Sequence, residues 1–449
     1  MLIDELKEIM KENGVVGAGG AGFPSYAKMT DKAEIVILNC VECEPLLKPH
    51  RQLLYYRADE IVGMLEEVRE AMGAKEAVIG IKDAHVHTIA VCEEIVKDYP
   101  HLRICPVRST YPMGDEVILI YEATGRVIKP GGIPIDENVV VYNTETMYNV
   151  YKAVHEHKPV TEKLLSVVGE VEHPISFFAP LGATVRDVVK MAGRITTKEP
   201  AYIMGGPMMG KLGSEDTLIT KTTNAIVVLP KDHIMVRRMV KNIAIEKRRA
   251  SSSCCQCRTC TDLCPRHALG HPIEPHSIMR AVANNDTSDL SVFINSAYCS
   301  SCGLCENYSC PQGLSPRSVI AEFKGGLRAA GIRAAKIETP CIVDRDRELK
   351  KVPVKRLKSK LGLYSYDVPA PVSIERIVPD IVHIPLSQHI GAPAKAVVKV
   401  GERVTRGQKL ASAAEGLSVS IHSSVDGVVE SVNEREVVIK TTDRERNEL

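Results

Sequence analysis

Two runs of cysteine set the chemistry open to this chain. The first is Cys254-x2-Cys257-x2-Cys260-x3-Cys264-Pro265, and the second is Cys299-x2-Cys302-x2-Cys305-x4-Cys310-Pro311. C-x2-C-x2-C-x3-C-P is the pattern with which bacterial two-cluster proteins bind 4Fe–4S cubanes. Three thiolates on one tight loop grip three irons, and the fourth iron takes a thiolate from the other run. The expected ligand sets are therefore Cys254, Cys257, Cys260 and Cys310 for one cluster, and Cys299, Cys302, Cys305 and Cys264 for the other. The extra residue before Cys310 lengthens a turn without removing a ligand. Zinc sites pair C-x2-C knuckles instead of placing three cysteines in a row, so zinc is disfavoured. Cys255 has no slot in the pattern and reads as a non-ligand. Cys92, Cys105 and Cys341 read as packed thiols. His267, His271 and His276 meet no open ligand position and are expected to be surface or capping residues.

Two further stretches could hold a ligand. Gly17-Ala-Gly-Gly-Ala-Gly-Phe-Pro24 follows a predicted helix and is itself followed by Lys28. Backbone N–H groups of such a loop can approach a phosphate closely. The loop fits neither the Walker pattern nor the strand–GxGxxG–helix context, so a flexible turn is an equal reading. Asn39-Cys-Val-Glu42-Cys43-Glu44-Pro45 follows a predicted strand and offers carboxylates for ribose hydroxyls. Cys40 and Cys43 lack a partner pair nearby in sequence, which argues against a metal there.

The elements that must position these groups follow from periodicity. Residues 1–155 alternate short apolar runs (34–40, 77–82, 139–143) with helical patterns, such as the stretch from Gln52 to Ala71. This predicts an α/β unit with a mainly parallel sheet, whose binding loops lie at the carboxyl ends of its strands. Residues 156–235 read as strands around one helix. A basic helix over 236–249 leads into the cysteine region, which a helix over 316–330 closes, so that unit spans 236–335. Residues 336–369 carry RELKKVPVKRLKSK and read as a basic, solvated linker, with a docking patch for an acidic partner as the alternative. Residues 370–449 return to short strands punctuated by glycine and predict a small β-sandwich.

The 449 residues suffice for three or four domains. Fifty-seven Lys and Arg against 56 Asp and Glu leave no basic field for nucleic acid, and five Phe with no Trp leave few stacking platforms. Fourteen Cys, nine of them between Cys254 and Cys310, indicate metal or redox chemistry in a reducing compartment. No apolar run reaches the ~18 residues of a membrane span, and the N-terminus lacks a signal-peptide core. A cytoplasmic protein without direct membrane insertion is expected.

GAGGAGFPSYAK (17–28), NCVECEP (39–45), YPMGDE (111–116) and YNTETMYNV (142–150) resemble the four loops of one flavin and NADH site. The family is the RnfC-like and PduS-like cobalamin reductase family, related to the flavin- and NADH-binding subunit of respiratory complex I. GEVEHPISFFAPLGATVRDVV (169–189) resembles its soluble-ligand-binding β-grasp (SLBB) module, and GGPMMG (205–210) is typical of the Rnf type. The resemblance implies a multidomain α/β protein: an FMN/NADH domain (1–155), a β-grasp module (156–235), a two-cluster ferredoxin-like domain (236–335), the linker, and a C-terminal barrel-sandwich hybrid domain (370–449). By position it implies that Gly17, Gly19, Gly20, Lys28, Asn39, Glu42, Gly114, Asp115, Asn143 and Thr146 cradle FMN, and that Phe23, Glu44 and Glu116 face NADH. Ala18 and Val41 stand where complex I has a basic residue and an Asp, and no contact is carried over to them. The C-terminal module resembles lipoyl carriers, but Val425-Asp426-Gly427 stands at the hairpin tip in place of a modifiable Lys, so the module reads as structural.

The expected activity is NADH oxidation: a hydride passes to FMN, and single electrons pass through two 4Fe–4S clusters to a corrinoid or a partner redox subunit. A reductase of the methylenetetrahydrofolate type is one such partner. No side chain is expected as a catalytic acid or base. The expected setting is a larger complex, and the Gly loop and the cluster segment are expected on facing surfaces. A flavin-free ferredoxin-like electron-transfer adaptor is the alternative.

Overall fold

A computed structural model describes residues 1–442. The N-terminal unit runs α1 (Ile3–Glu12), β1 (Ile35–Cys40), α2 (Pro49–Tyr56), α3 (Ala58–Met72), β2 (Glu76–Lys82), α4 (Val86–Val96), β3 (Leu102–Val107), β4 (Thr110–Tyr111), α5 (Glu116–Thr124), β5 (Val139–Asn143) and α6 (Thr144–His155). Four parallel strands form its sheet in the order β3-β2-β1-β5. β1 and β2 are almost continuously buried, as strands covered on both faces must be. β3 carries no apolar run because it is the edge strand: it is half exposed and contains Pro106, which only an edge tolerates. The helix expected from Gln52 to Ala71 is two helices, broken at Arg57, where φ −130° and ψ 36° leave the helical region. Chain direction across the sheet reverses between β1 and β5, so the loops after those two strands flank the crevice where α/β sheets bind ligands.

The second unit is a five-stranded mixed sheet of β6 (Glu162–Gly169), β7 (Ile175–Pro180), β8 (Pro200–Met204), β9 (Lys211–Gly213) and β10 (Ala225–Pro230), in the order β7-β6-β10-β8-β9, with the short helix α7 (Val185–Val189) on one face. The basic helix that follows is split into Ile234–Met239 and Ile243–Ser253. Asn242 makes the break, because its side chain caps the second helix by accepting from the Ala244 N–H at 2.9 Å. In the cysteine segment, Ile273, Ile278, Leu314, Val319 and Ile320 form a small core, and Cys254, Cys264, Cys299 and Cys310 pack on it.

Residues 336–369 are not the solvated linker expected from their charge. Val352–Pro353 pairs antiparallel with β4, and Leu357, Leu361 and Leu363 are fully buried in a core shared with Tyr111, Met208 and Val227. Leu357 faces inward from the helix Val354–Lys360 while Lys355 and Arg356 stay in solvent, so the lysines and arginines hide an amphipathic segment. The C-terminal module is two small sheets. One joins Ile381–Pro385, Glu436–Thr441, Gly427–Val432 and Arg403–Val404; the other joins Lys395–Ala396, Lys409–Ser412 and Ile421–His422. Its hairpin tip is packed: Val425 is buried, and Ser424 Oγ donates to the Leu181 carbonyl at 2.6 Å. Among the described residues, no helix is long and apolar enough to cross a membrane.

Candidate redox site

The four loops singled out in the sequence meet at the sheet's crevice. Asn39 and Asn143 are register partners at the ends of β1 and β5. Asn39 Nδ2 donates to the Gly114 carbonyl at 3.0 Å, which seats the 111–116 loop on the first strand. Asn143 caps α6 by accepting from the Glu145 N–H. The Gly-rich loop closes on itself through Gly17 N to Phe23 O, 2.9 Å, and Ala18 N donates to Thr146 Oγ1 at 2.9 Å. Gly19 lies against Asn143, where a Cβ would come within 2.6 Å of Nδ2. Gly20 is exposed with open space around it, so the backbone there is free to approach a phosphate. Lys28 pairs with Glu116 at 3.2 Å and donates to the Val141 carbonyl at 3.0 Å.

Other positions are engaged by the protein itself. Glu42 accepts from the His50 and Arg51 N–H groups and caps the first turn of α2. Asp115 caps α5 and forms a fork with Arg266 at 2.8 and 2.9 Å. Glu44 leaves the N-terminal unit for the 205–210 loop of the second: its Oε2 accepts from Met208 N at 2.8 Å, and its Oε1 is buried without a hydrogen-bond partner. Burial pushes the Glu44 carboxyl up to about 7, although the Met208 and Met209 N–H groups and Arg317 oppose the shift. Folded Glu44 thus keeps its proton to higher pH than the unfolded chain does. Between about 4.5 and 7 the native state binds more protons and loses stability as pH rises, by up to about 1.4 kcal/mol per pH unit. Glu44→Gln is expected to flatten that decline when unfolding midpoints are compared at pH 5 and pH 8; parallel profiles for the two proteins would refute the assignment.

Cys40 and Cys43 are packed thiols, pushed up by burial, and Cys43 Sγ accepts the Gly114 N–H. The cysteine runs divide between two pockets. Cys254, Cys257, Cys260 and Cys310 line one, together with Cys255, which the spacing leaves without a slot; Cys264, Cys299, Cys302 and Cys305 line the other. Cys260 is pushed up to about 12 by burial and then by Cys310, Cys257 and Cys254, whereas Cys305 is pushed up by burial and then by Cys299, Cys302 and Cys264. Thiols crowded in this way resist ionising together, and bound iron relieves that by holding each as thiolate. Each pocket thus offers four thiols of the kind a cubane takes, and the open backbone around Gly20 leaves room for a flavin phosphate. Thr259 Oγ1 donates to Cys257 Sγ at 3.3 Å, and Ser301 and Leu314 N–H groups donate to Cys299 and Cys310 Sγ at 3.3 Å.

Of the histidines, His271 is not the surface or capping residue expected: it is buried, and its Nε2 lies 2.9 Å from the Ile128 carbonyl of the N-terminal unit. Arg266 and Arg317 were not singled out in the sequence, because each reaches the site from the cysteine unit and no local pattern marks it; His50, within the N-terminal unit, meets Asn143 only through the fold. Arg266 and Tyr111 join the two halves, Tyr111 by donating from its hydroxyl to the Cys302 carbonyl at 2.6 Å.

Comparison with known families divides the chain the same way. Residues 10–152 match the Nuo51 FMN-binding domain, 164–212 the SLBB domain, 253–315 the 4Fe-4S dicluster domain and 369–445 the RnfC barrel sandwich hybrid domain. These modules define an iron–sulfur flavoprotein oxidoreductase with FMN and 4Fe–4S cofactors. The chain is 40% identical over 438 residues, 97% of its length and 96% of the relative's, to the cobalamin reductase PduS of Salmonella typhimurium (strain LT2). It is 37% identical over 436 residues, 97% and 96% of the two lengths, to that of Citrobacter freundii. It belongs to the PduS cobalamin reductase family. Among solved structures, an NAD+-reducing NiFe hydrogenase aligns in its H2-reduced state with a TM-score of 0.47 and 23% identity, over 73% of this chain and 62% of that one. Its air-oxidised state aligns at 0.47 and 21%, over 82% and 68%.

Proposed function

We propose that this protein oxidises NADH and delivers the electrons singly to a corrinoid acceptor. The observation that carries the reading is the joint between the flavin-site loop 111–116 and the pocket of Cys264, Cys299, Cys302 and Cys305, made by Tyr111 and by Asp115 with Arg266. The cofactors supply the hard chemistry, FMN exchanging a hydride for single electrons and 4Fe–4S clusters carrying them one at a time. The chain supplies position. In this reading Gly17, Gly19, Gly20, Lys28 and Thr146 hold the flavin phosphate and ring, and Asn39, Asn143, Gly114 and Asp115 build the crevice wall. Glu42 acts indirectly by fixing α2 beside it. Phe23 and Glu116 face the nucleotide, while Glu44 holds the 205–210 loop over that side. The clusters take Cys254, Cys257, Cys260 and Cys310, and Cys299, Cys302, Cys305 and Cys264. The corrinoid is assigned as acceptor from the activity of the two PduS relatives, which match the chain end to end.

An anaerobic NADH titration of the iron-reconstituted protein tests this reading. Bleaching of flavin absorbance together with partial loss of cluster absorbance is expected, and cob(II)alamin should then restore both. A protein reduced by dithionite but silent to NADH would overturn the reading.

A further inference from the structure

Arg266 follows the Cys264-Pro265 pair that closes the first cysteine run, yet its side chain leaves that segment altogether. Its guanidinium reaches Asp115, with Nη2 at 2.8 and 2.9 Å from the two carboxylate oxygens and Nε at 3.3 Å from one of them. Both side chains are largely buried, 17% and 11% exposed. Asp115 is held rigidly in turn, because its Oδ1 accepts from the Val117 N–H at 3.0 Å and from the Ile118 N–H at 3.4 Å at the start of α5. A two-pronged contact between planar groups fixes orientation as well as distance. The Tyr111 hydroxyl on the Cys302 carbonyl, 2.6 Å away, makes a second fixed point. The loop that walls the flavin crevice is thus pinned to both runs of one thiol set.

The same pair places opposite charges on that set. Arg266 lines the pocket of Cys264, Cys299, Cys302 and Cys305, and Asp115 lies 2.8 Å from its guanidinium. Neither lines the pocket of Cys254, Cys257, Cys260 and Cys310. Cluster potentials respond to net charge and hydrogen bonding nearby.

We propose that Arg266 is a positioning residue of the electron path, one that locks the 111–116 loop onto the Cys264, Cys299, Cys302 and Cys305 set and, with Asp115, sets the potential of that cluster alone. The inference rests on the ligand assignment given above. Removing a nearby positive charge makes adding an electron harder, and removing a negative one makes it easier. Arg266→Gln therefore shifts one of the two cluster potentials to more negative values. Asp115→Asn, which keeps the helix cap, shifts the same cluster to more positive values. The second cluster stays where it was in both.

The experiment is an EPR-monitored redox titration of the reconstituted full chain and of these two variants, with Arg266→Lys alongside. The lysine keeps the charge and loses the fork, so its potentials should stay near wild type while NADH-driven cluster reduction slows in stopped flow and dithionite reduction does not. Wild-type protein holding fewer than about eight irons per chain would overturn the ligand assignment and this inference with it. With about eight irons bound, potentials that do not move, or that move in the same direction in Arg266→Gln and Asp115→Asn, would overturn the inference alone. Should Arg266→Gln fail to fold, a positive shift confined to one cluster in Asp115→Asn supports it, and no shift there overturns it.

Discussion

Gly114→Ala is expected to cost the protein its flavin. The added Cβ would lie 2.0 Å from the Val41 carbonyl oxygen and 2.9 Å from Cys43 Sγ. The first of these is backbone, at the end of the central strand of a buried sheet, and cannot swing aside as a side-chain tip would. Gly114 is needed here for close approach and not for an unusual φ. Its N–H donates to Cys43 Sγ and its carbonyl accepts from Asn39, so the 111–116 loop and the 39–45 loop are laminated through this one residue. Relief of the clash requires the third loop to lift away, carrying Asp115 off Arg266 and opening the crevice wall. Overpacking of this kind costs about 1–3 kcal/mol. If that energy is recovered by losing the flavin-competent arrangement, FMN affinity falls by roughly 10–100-fold. Flavin titration by fluorescence quenching measures it, with iron content expected to stay near wild type because no cluster thiol moves directly. Gly325→Ala in the helix Pro316–Ala329, where nothing lies within 4 Å, is the control for glycine replacement as such. An FMN affinity for Gly114→Ala within twofold of the control would show that the loops are not laminated in this way.

What could be read from the sequence, and what could not, divides along the line between local and nonlocal information. The cysteine spacing carries local information: three thiols on a tight loop need no tertiary knowledge, and the eight cysteines of the pattern line two pockets grouped as the spacing groups them, with Cys255 beside the first set. The parallel sheet was legible because β1, β2 and β5 are continuous apolar runs. β3 was not, because an edge strand with Pro106 does not need to be apolar on both faces. The 336–369 segment misled because its charges are dense and its buried leucines few; Leu357, Leu361 and Leu363 are visible as an inward face only once the core they enter is known. Asp115 shows the same limit at the level of a single residue. The loop pattern marks it, but its partner Arg266 lies 151 positions away and nothing near either residue announces the other. Glu44, marked for a nucleotide by position, turns out to hold the 205–210 loop of the next module.

The largest effect on stability is expected from Lys163→Met. Lys163 on β6 is 1% exposed, and its ammonium pairs with the Glu145 carboxylate, which is itself fully buried in α6 of the neighbouring unit. Glu145 also accepts from the Leu164 N–H at 2.9 Å and lies 3.5 Å from His50 Nε2. Burial alone would push this carboxyl up; Lys163 and then His50 outweigh it and hold the group below its ordinary value. Taking away the ammonium leaves a carboxylate in the interior with its main counter-charge gone, which costs about 3–5 kcal/mol. The loss has a pH signature. In the wild type, a depressed Glu145 pKa contributes stability that is present above about 4.5 and fades as pH falls through the folded value. In the variant the balance reverses. The carboxyl rises above 4.5, the folded state holds the proton more tightly than the unfolded chain, and stability recovers as pH falls. The gap between the two proteins in chemical denaturation should therefore be wide at pH 7 and narrow near pH 4.5. Replacing both partners, Lys163→Met with Glu145→Leu, removes the stranded charge and should regain most of the loss at neutral pH. Because the Glu145 N–H is the one that Asn143 caps beside Gly19, the single variant should also bind FMN more weakly at pH 7 than the double variant does. A single variant as stable as wild type at pH 7 would mean that water or His50 compensates the carboxylate, and the joint between the first two units would then rest on apolar packing instead of this ion pair.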